Sequence, residues 1–399
     1  MAQELISIAE ARRRVLAAVA PLGSERVPVA DALDRVLVKE IVAAADVPPF
    51  PSSAMDGYAV EPGPAERELR VAGESRAGSP SEHSLGAGEA IRISTGAAVP
   101  AGAAAVIRQE DTDEHGGTVT LRAAVEPGQN IRPAGEVMRA GAPVLQPGTV
   151  LRAAELGAAV SAGAGSVEAG RRPRARVLST GDELRDPGEP LGPGEIHNSN
   201  APMLSALAAR CGAITGPAGR LPDDRAATEA GLGEALEHAD VVIVSGGVSV
   251  GPHDHVKPAL ASLGVEEIFW GVALQPGKPT WFGTREGKLV FGLPGNPVSS
   301  AVTFALFAAP ALAALQGASA EARTETATLT TPVPANPRRE QALRVRLERR
   351  DGTLAAVPNG PQGSHVITSL LGADALALIP AGEHEVPAGT VVTLAPLPR

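Results

Sequence analysis

Asp240-Val241-Val242-Ile243-Val244-Ser245-Gly246-Gly247-Val248-Ser249-Val250-Gly251 decides the fold of this chain. A short apolar run breaks into a turn of glycine and serine. Arg176-Val177-Leu178-Ser179, which leads to Gly181, and Leu289-Val290-Phe291-Gly292, which leads to Gly295, read the same way. Helical stretches are expected near 200–210, 224–238, 254–263 and 297–315. Strands alternating with helices mean βαβ units, hence a mainly parallel sheet covered on both faces. Ligands of such sheets bind beyond the carboxyl ends of the strands, where the glycine-rich turns fall.

The pattern changes on either side of this α/β unit, assigned to 173–320. Ser7 with Glu10 predicts a capping box opening a helix through Val15, Leu16 and Val19. A short helix and strand are expected over roughly 29–45, and the prolines at 48, 49 and 51 mark a linker. From 47 to 140, runs such as Glu89–Ile93, Ala105–Arg108 and Thr118–Leu121 predict a small β domain. Leu151–Val160 reads as a helix packing back on the first segment. This makes the β domain an insertion in a unit formed by 1–46 and 141–172. Strands at 327–330, 343–347, 353–357 and 391–394 predict a C-terminal β domain over 321–399. The fold class is thus multidomain α/β plus β.

Composition limits the function. Of 399 residues, 44% are hydrophobic and 20% charged, the balance of a globular protein. The 45 glycines and 36 prolines imply many turns, and with 2% aromatics the cores must be aliphatic. A formal charge of −10 argues against general nucleic-acid binding, so any anion must be held by local donors. Cys211 is the only cysteine, which removes intrachain disulfides and Cys-based zinc sites. The N-terminus has no signal pattern, and no apolar run approaches the ~20 residues of a membrane span, so a cytoplasmic enzyme is expected.

Three turns carry the expected chemistry: Ser179-Thr180-Gly181-Asp182-Glu183, Ser245 to Gly251, and Leu293-Pro294-Gly295-Asn296-Pro297-Val298-Ser299. Glycine lets backbone N–H groups approach a ligand, and a helix N-terminus adds partial positive charge, so such turns bind phosphates. Any βα loop also needs a glycine and a cap; three at one sheet edge favour a site. No Walker-A loop and no Gly-x-Gly-x-x-Gly fingerprint is present. Asp182, Glu183, Asp223 and Asp254 lie in loops that reach this edge, and one or two carboxylates beside phosphate oxygens suffice to hold Mg²⁺. A plainer reading has Asp182 capping a turn and Asp223 or Asp224 capping the next helix. His253-Asp254-His255 lacks a further histidine at zinc spacing. Lys278, between Gly277 and Pro279, is a cation on a restricted backbone, suited to an oxyanion.

Together these segments resemble the molybdopterin molybdenumtransferases, a family that includes the gephyrin E domain. The resemblance rests on 48–59 (Pro-Pro-Phe-Pro-Ser-Ser-Ala-Met-Asp-Gly-Tyr-Ala), 92–100, 179–184, 245–251, 276–279 and 292–299, in the family's order over nearly the whole chain. It implies four domains and an elongated homodimer, with a site between the α/β domain of one protomer and the inserted β domain of the other. Adenylated molybdopterin, molybdate and Mg²⁺ would meet there, and a separate adenylyltransferase would supply the adenylate. By motif match, catalytic roles are expected at Asp56, Thr95, Glu183, Asp254 and Lys278, with Glu183 and Asp254 as metal ligands. Substrate contacts are expected from Asp182, Asp223, Ser245, Gly246, Gly247, Ser249, Pro294, Gly295, Asn296 and Pro297. The pattern departs from relatives at Val137, where many have Asp, and at Gln275, where some have Lys. Rival readings are a non-catalytic scaffold or carrier on the same fold, and the preceding adenylyl transfer. Against the latter stand the extra β domains and the single α/β unit.

Overall fold

Val241–Ser245 is buried at every position, as a strand covered on both faces must be. In the computed structural model, which describes residues 5–248, 254–318, 325–350 and 352–398, it is the centre of a seven-stranded sheet. The strands are β1 (Arg174–Thr180), β2 (Ile214–Thr215), β3 (Gly219–Leu221), β4 (Val241–Ser245), β5 (Glu266–Trp270), β6 (Trp281–Arg285) and β7 (Lys288–Leu293). They lie in the order β2-β1-β4-β7-β6-β5, with β3 also paired to β1. Strands β1 to β4 and β7 are mutually parallel, as expected; β6 and β5 continue the sheet antiparallel.

Alternation along each strand divides the core in two. Val241 and Ile243 join Leu204 and Ala208 of α1 (Asn200–Arg210) and Val298 and Val302 of the long helix α4 (Pro297–Leu315). Val242 and Val244 face Leu232 and Leu236 of α2 (Arg225–His238) and Val256 and Leu260 of α3 (Val256–Ser262). Each such side chain contributes roughly 1.5–3 kcal/mol on leaving water. Phe269, Phe282, Phe291, Phe304 and Phe307 gather on one face, with Phe282 4.9 Å from Phe291 and 5.7 Å from Phe269, centroid to centroid.

Two expectations need correcting. Helix α4 spans 19 residues and is long and apolar enough to cross a membrane by length and composition, contrary to the reading of the sequence. In the apolar window 78% is buried inside the protein, so its apolarity serves the core. The capping box at Ser7 forms only by half. The Ser7 hydroxyl accepts from the Glu10 N–H at 3.1 Å, but the Glu10 carboxylate turns to Arg13 and Arg14, 2.7 Å from each.

Around the α/β unit stand three smaller bodies. Ser24–Pro28 pairs antiparallel with Ser166–Gly170, and Ile41–Val42 with Pro143–Leu145. The helix Ala153–Ser161 completes this core through Ala159, packed with Val27, Leu37 and Val167. Between these paired segments a six-stranded sheet forms, including Gly57–Val60, Glu89–Ile93, Ala105–Arg108 and Thr118–Leu121. The C-terminal sheet runs Glu340–Arg350, Thr353–Pro358, Glu325–Leu329, Val391–Pro396, Ala375–Ile379 and closes by pairing the last with the first. Leu274–Gln275 adds to it in parallel, joining it to the α/β unit.

Candidate functional site

Register brings the turns together. Ser179 of β1 pairs with Ser245 of β4, and Ser245 with Leu293 of β7, so the three strands end abreast. Thr180 pairs with Leu221 of β3, which brings Asp223 to the same edge. An open cavity of 420 Å³ lies there, walled by Ser179, Thr180, Glu183, Leu184, residues 196–200, Ser245, Pro279 and residues 294–297.

Of the residues expected from sequence, Glu183, Ser245, Pro294, Gly295, Asn296 and Pro297 line this cavity. The exposed Glu183 carboxylate has no hydrogen bond or ion pair among the described residues, so it is free to meet a cation. The Ser245 hydroxyl accepts from the Asn200 amide at 2.7 Å and lies 3.3 Å from both the Pro294 carbonyl and the Ser300 hydroxyl. Asn296 does not cap α4 with its side chain; its amide reaches the Ser364 hydroxyl at 3.1 Å, in the C-terminal unit.

Asp182 and Asp223 hold one another. Asp182 N–H donates to the Asp223 carboxylate at 3.4 Å, and Asp223 N–H to the Asp182 carboxylate at 3.1 Å. Asp224, not Asp223, caps α2, accepting from Ala227 N–H at 2.8 Å. Gly246 serves the close approach of chains: its N–H is bonded to the Leu293 carbonyl at 3.0 Å, and an added Cβ would lie 2.7 Å from Thr180 Oγ1. Gly247 has φ +64° and is blocked by Val256. Lys278 is exposed beside Pro279, and its ammonium meets no partner among the described residues. Asp254 is half-buried just ahead of α3, while Ser249, Val250, Gly251 and His253 lie outside the described residues.

Asp56 and Thr95 form a second constellation. The Asp56 carboxylate accepts from Thr95 N–H at 2.8 Å, and Gly96 N–H donates to the Ser53 carbonyl at 2.8 Å. The two β-domain motifs are thereby one surface, but neither Asp56 nor Thr95 lines the cavity. Gly57 lets the motif sit against its neighbour strand: a Cβ there would fall 1.9 Å from the Ile107 carbonyl oxygen.

Sequence reading missed Asn198, Ser199 and Asn200 as wall residues. Their signal is three small polar residues ahead of an otherwise apolar helix. Two buried atoms in this wall, Asn200 Oδ1 and Ser179 Oγ, have no hydrogen-bond partner among the described residues. Such orphans call for a partner from a ligand or water. Among the described residues no group of three His, Cys, Asp or Glu could hold a metal ion by itself.

A glycine-turned sheet edge with orphan polar atoms and unpaired charges, flanked by β units, defines a multidomain α/β enzyme that handles a polar ligand. Known proteins match at this level and more finely. Family models match residues 6–163 (MoeA N-terminal region, domain I and II), 176–314 (probable molybdopterin binding domain) and 326–397 (MoeA C-terminal region, domain IV). The chain is 34% identical over 402 residues to a molybdopterin molybdenumtransferase of Haemophilus influenzae, covering 98% of each. It is 38% identical over 379 residues to molybdopterin molybdenumtransferase 2 of Mycobacterium tuberculosis, covering 91% of this chain and 93% of that one. The solved structure of the molybdopterin biosynthesis MoeA protein of Pyrococcus horikoshii matches with a TM-score of 0.82 and 30% identity, over 98% of this chain and 100% of that chain. The chain belongs to the MoeA family of molybdopterin molybdenumtransferases.

Proposed function

We propose that this enzyme inserts molybdate into adenylated molybdopterin in the cytoplasm and releases AMP, using a site completed by a second copy of the chain. The observation that carries the reading is the cleft at the aligned ends of β1, β4 and β7, with its orphan acceptors and unpaired Glu183. A pterin, with its ring N–H and amino donors, suits the polar wall of Asn198, Ser199 and Asn200. The adenylate phosphates face Lys278 and the turn at 294–297. Glu183 and Asp254 would hold Mg²⁺ together with phosphate oxygens. This ion commonly keeps several waters and takes one or two protein carboxylates. Bound there, it supplies charge neutralisation at the phosphates.

The chain's residues position and stabilise more than they react. Phosphoanhydride cleavage needs alignment and charge compensation, not a covalent nucleophile. Sulfur ligands for molybdenum come from the pterin dithiolene, so a chain with one cysteine lacks nothing for this chemistry. Asp56 and Thr95 lie outside the cleft, so a homodimer that presents the partner's β domain to it completes the set.

Supplied with adenylated molybdopterin, molybdate and Mg²⁺, the purified protein should release AMP and yield molybdenum-loaded pterin. Given ATP and free molybdopterin it should form no adenylate, because a separate adenylyltransferase performs that step. Adenylate formation by this chain alone would refute the division of labour. Binding of adenylated pterin without AMP release would make the chain a carrier.

A further inference from the structure

At the other end of the sheet lies a cavity of 470 Å³ that the proposed reaction does not use. Its walls come from two units: residues 33–36, Val150, Arg152 and Arg172 on one side, residues 209–212 and the C-terminal end of α4 on the other. Arg172 precedes β1, whose far end reaches the candidate site, so about 20 Å of strand separates the two cavities.

Four arginines, Arg35, Arg152, Arg172 and Arg210, line this cavity, and among its described lining residues Asp34 is the one acidic side chain. In a chain of net charge −10 that concentration of positive charge is local and built. The Arg35 side chain is 12% exposed; its Nη2 binds Glu25 at 2.5 Å and the Gly170 carbonyl at 2.8 Å, yet its buried Nε has no partner. Arg172 Nε is held by the Gly212 carbonyl at 2.7 Å. The Arg152 guanidinium is exposed and has no hydrogen bond or ion pair among the described residues. Backbone bonds from Asp34 to Leu151 and from Leu151 to Arg35, both 2.8 Å, fix the wall that carries Arg35 and Arg152. Leu33, Val36, Val150 and the alanines of α4 supply an apolar wall, and the Gln316 amide is turned to the Cys211 and Leu312 carbonyls, 2.8 Å from each.

We propose that this cavity is a binding site for a phosphate-bearing small molecule of nucleotide size. Planar guanidinium forks match phosphate oxygens two at a time, and the exposed Arg152 guanidinium is placed to close on such an oxygen. The volume falls in the range of small-molecule pockets, about 300–1,000 Å³, and exceeds what a lone phosphate fills, so the apolar wall takes the remainder of the ligand. Because its walls belong to two units, the bound molecule ties the N-terminal unit to the α/β unit.

Calorimetric titration of the full-length protein at low ionic strength with AMP, and separately with inorganic pyrophosphate, tests this. Arg152→Glu should weaken binding of one equivalent of ligand at least about tenfold, since a charge-assisted contact is replaced by repulsion. Arg35→Lys, which keeps the charge but loses the planar fork, should weaken the same equivalent, while Lys278→Ala at the opposite edge should leave it unchanged. AMP binding with this sensitivity supports a ligand of nucleotide size; binding of pyrophosphate alone would contradict it, because pyrophosphate has no part for the apolar wall. Arg152 is exposed, so Arg152→Glu should melt as the parent does. Equal binding by a folded Arg152→Glu variant and the parent, or no binding of either probe outside the candidate site, would overturn the proposal.

Discussion

The carboxylates of Asp182 and Asp223 each accept a hydrogen bond from the other's backbone N–H, at 3.1 and 3.4 Å. The loops leaving β1 and β3 are thereby tied together beside Glu183. Both aspartates are exposed, so the tie contributes little stability, but it sets the loop that aims the Glu183 carboxylate. Asp182→Asn keeps an acceptor oxygen and should keep turnover. Asp182→Ala should lower stability by about 1 kcal/mol, the worth of an ordinary hydrogen bond, and lower AMP release by more than that figure explains. Denaturant titration and AMP release, measured on the same preparations, separate the two effects.

Glu183→Gln removes charge but little volume from a carboxylate without protein partners. The melting temperature should hold while the Mg²⁺ concentration for half-maximal AMP release rises. Lys278→Ala should lose a charge-assisted contact of roughly 1.5–3 kcal/mol, about ten- to a hundredfold in turnover. Wild-type turnover undiminished in excess EDTA would show that no divalent ion takes part.

Tyr58 is the only tyrosine and is 2% exposed. Burial first, and its hydrogen bond to the Glu114 carboxylate second, push its phenol up to about 12 from 10.0. With the folded value above the unfolded one, the neutral phenol's contribution is complete below pH 10 and is lost as pH rises through about 12. Glu114 is held below the usual carboxylate range, by Tyr58 first and Arg92 next. Its contribution is present above its unfolded value of 4.5 and is lost as pH falls through its folded value. Phenolate absorbance should therefore titrate near 12; a midpoint at 10 would contradict the buried pair. Tyr58→Phe should cost roughly 1.5 kcal/mol, the low end for a hydrogen bond to a charged group.

The two departures from relatives differ physically. Val137 is 66% exposed, so Val137→Asp should leave stability within about 0.5 kcal/mol of the parent. The Gln275 side-chain oxygen accepts from the Asn336 amide at 2.6 Å, joining the α/β unit to the C-terminal sheet. Gln275→Lys should cost roughly 1 kcal/mol, because lysine offers no acceptor there. A chemical-denaturation comparison checks both.

The parallel core was legible because Val241–Ser245 and its neighbours are uninterrupted apolar runs ending in glycine turns. Glu266–Trp270 and Trp281–Arg285 went unread: two glutamates open the first, and Gly283 interrupts the second. Ala375–Ile379 has alanine at two of its five positions, a residue with weak strand preference, and forms through pairing on both sides. At the site, the motifs marked the turns, and Glu183, Ser245 and residues 294–297 do line the cleft. Asn200 was missed because a buried asparagine at a helix start looks like a cap. Its actual contacts, to Ser245 and the Gly295 carbonyl, are 45 and 95 residues away in sequence.

The central claim is that the cleft and the Asp56–Thr95 surface act as one site across two protomers. Chains carrying Asp56→Ala and Lys278→Ala, each impaired at least about tenfold as its own dimer, should be mixed under conditions that exchange subunits, and AMP release measured. Random pairing makes half the dimers hybrid, each with one intact site, so about a quarter of wild-type activity should return. No recovery in a mixture shown to contain hybrids, or a monomer by light scattering at micromolar concentration that still releases AMP, would contradict the account.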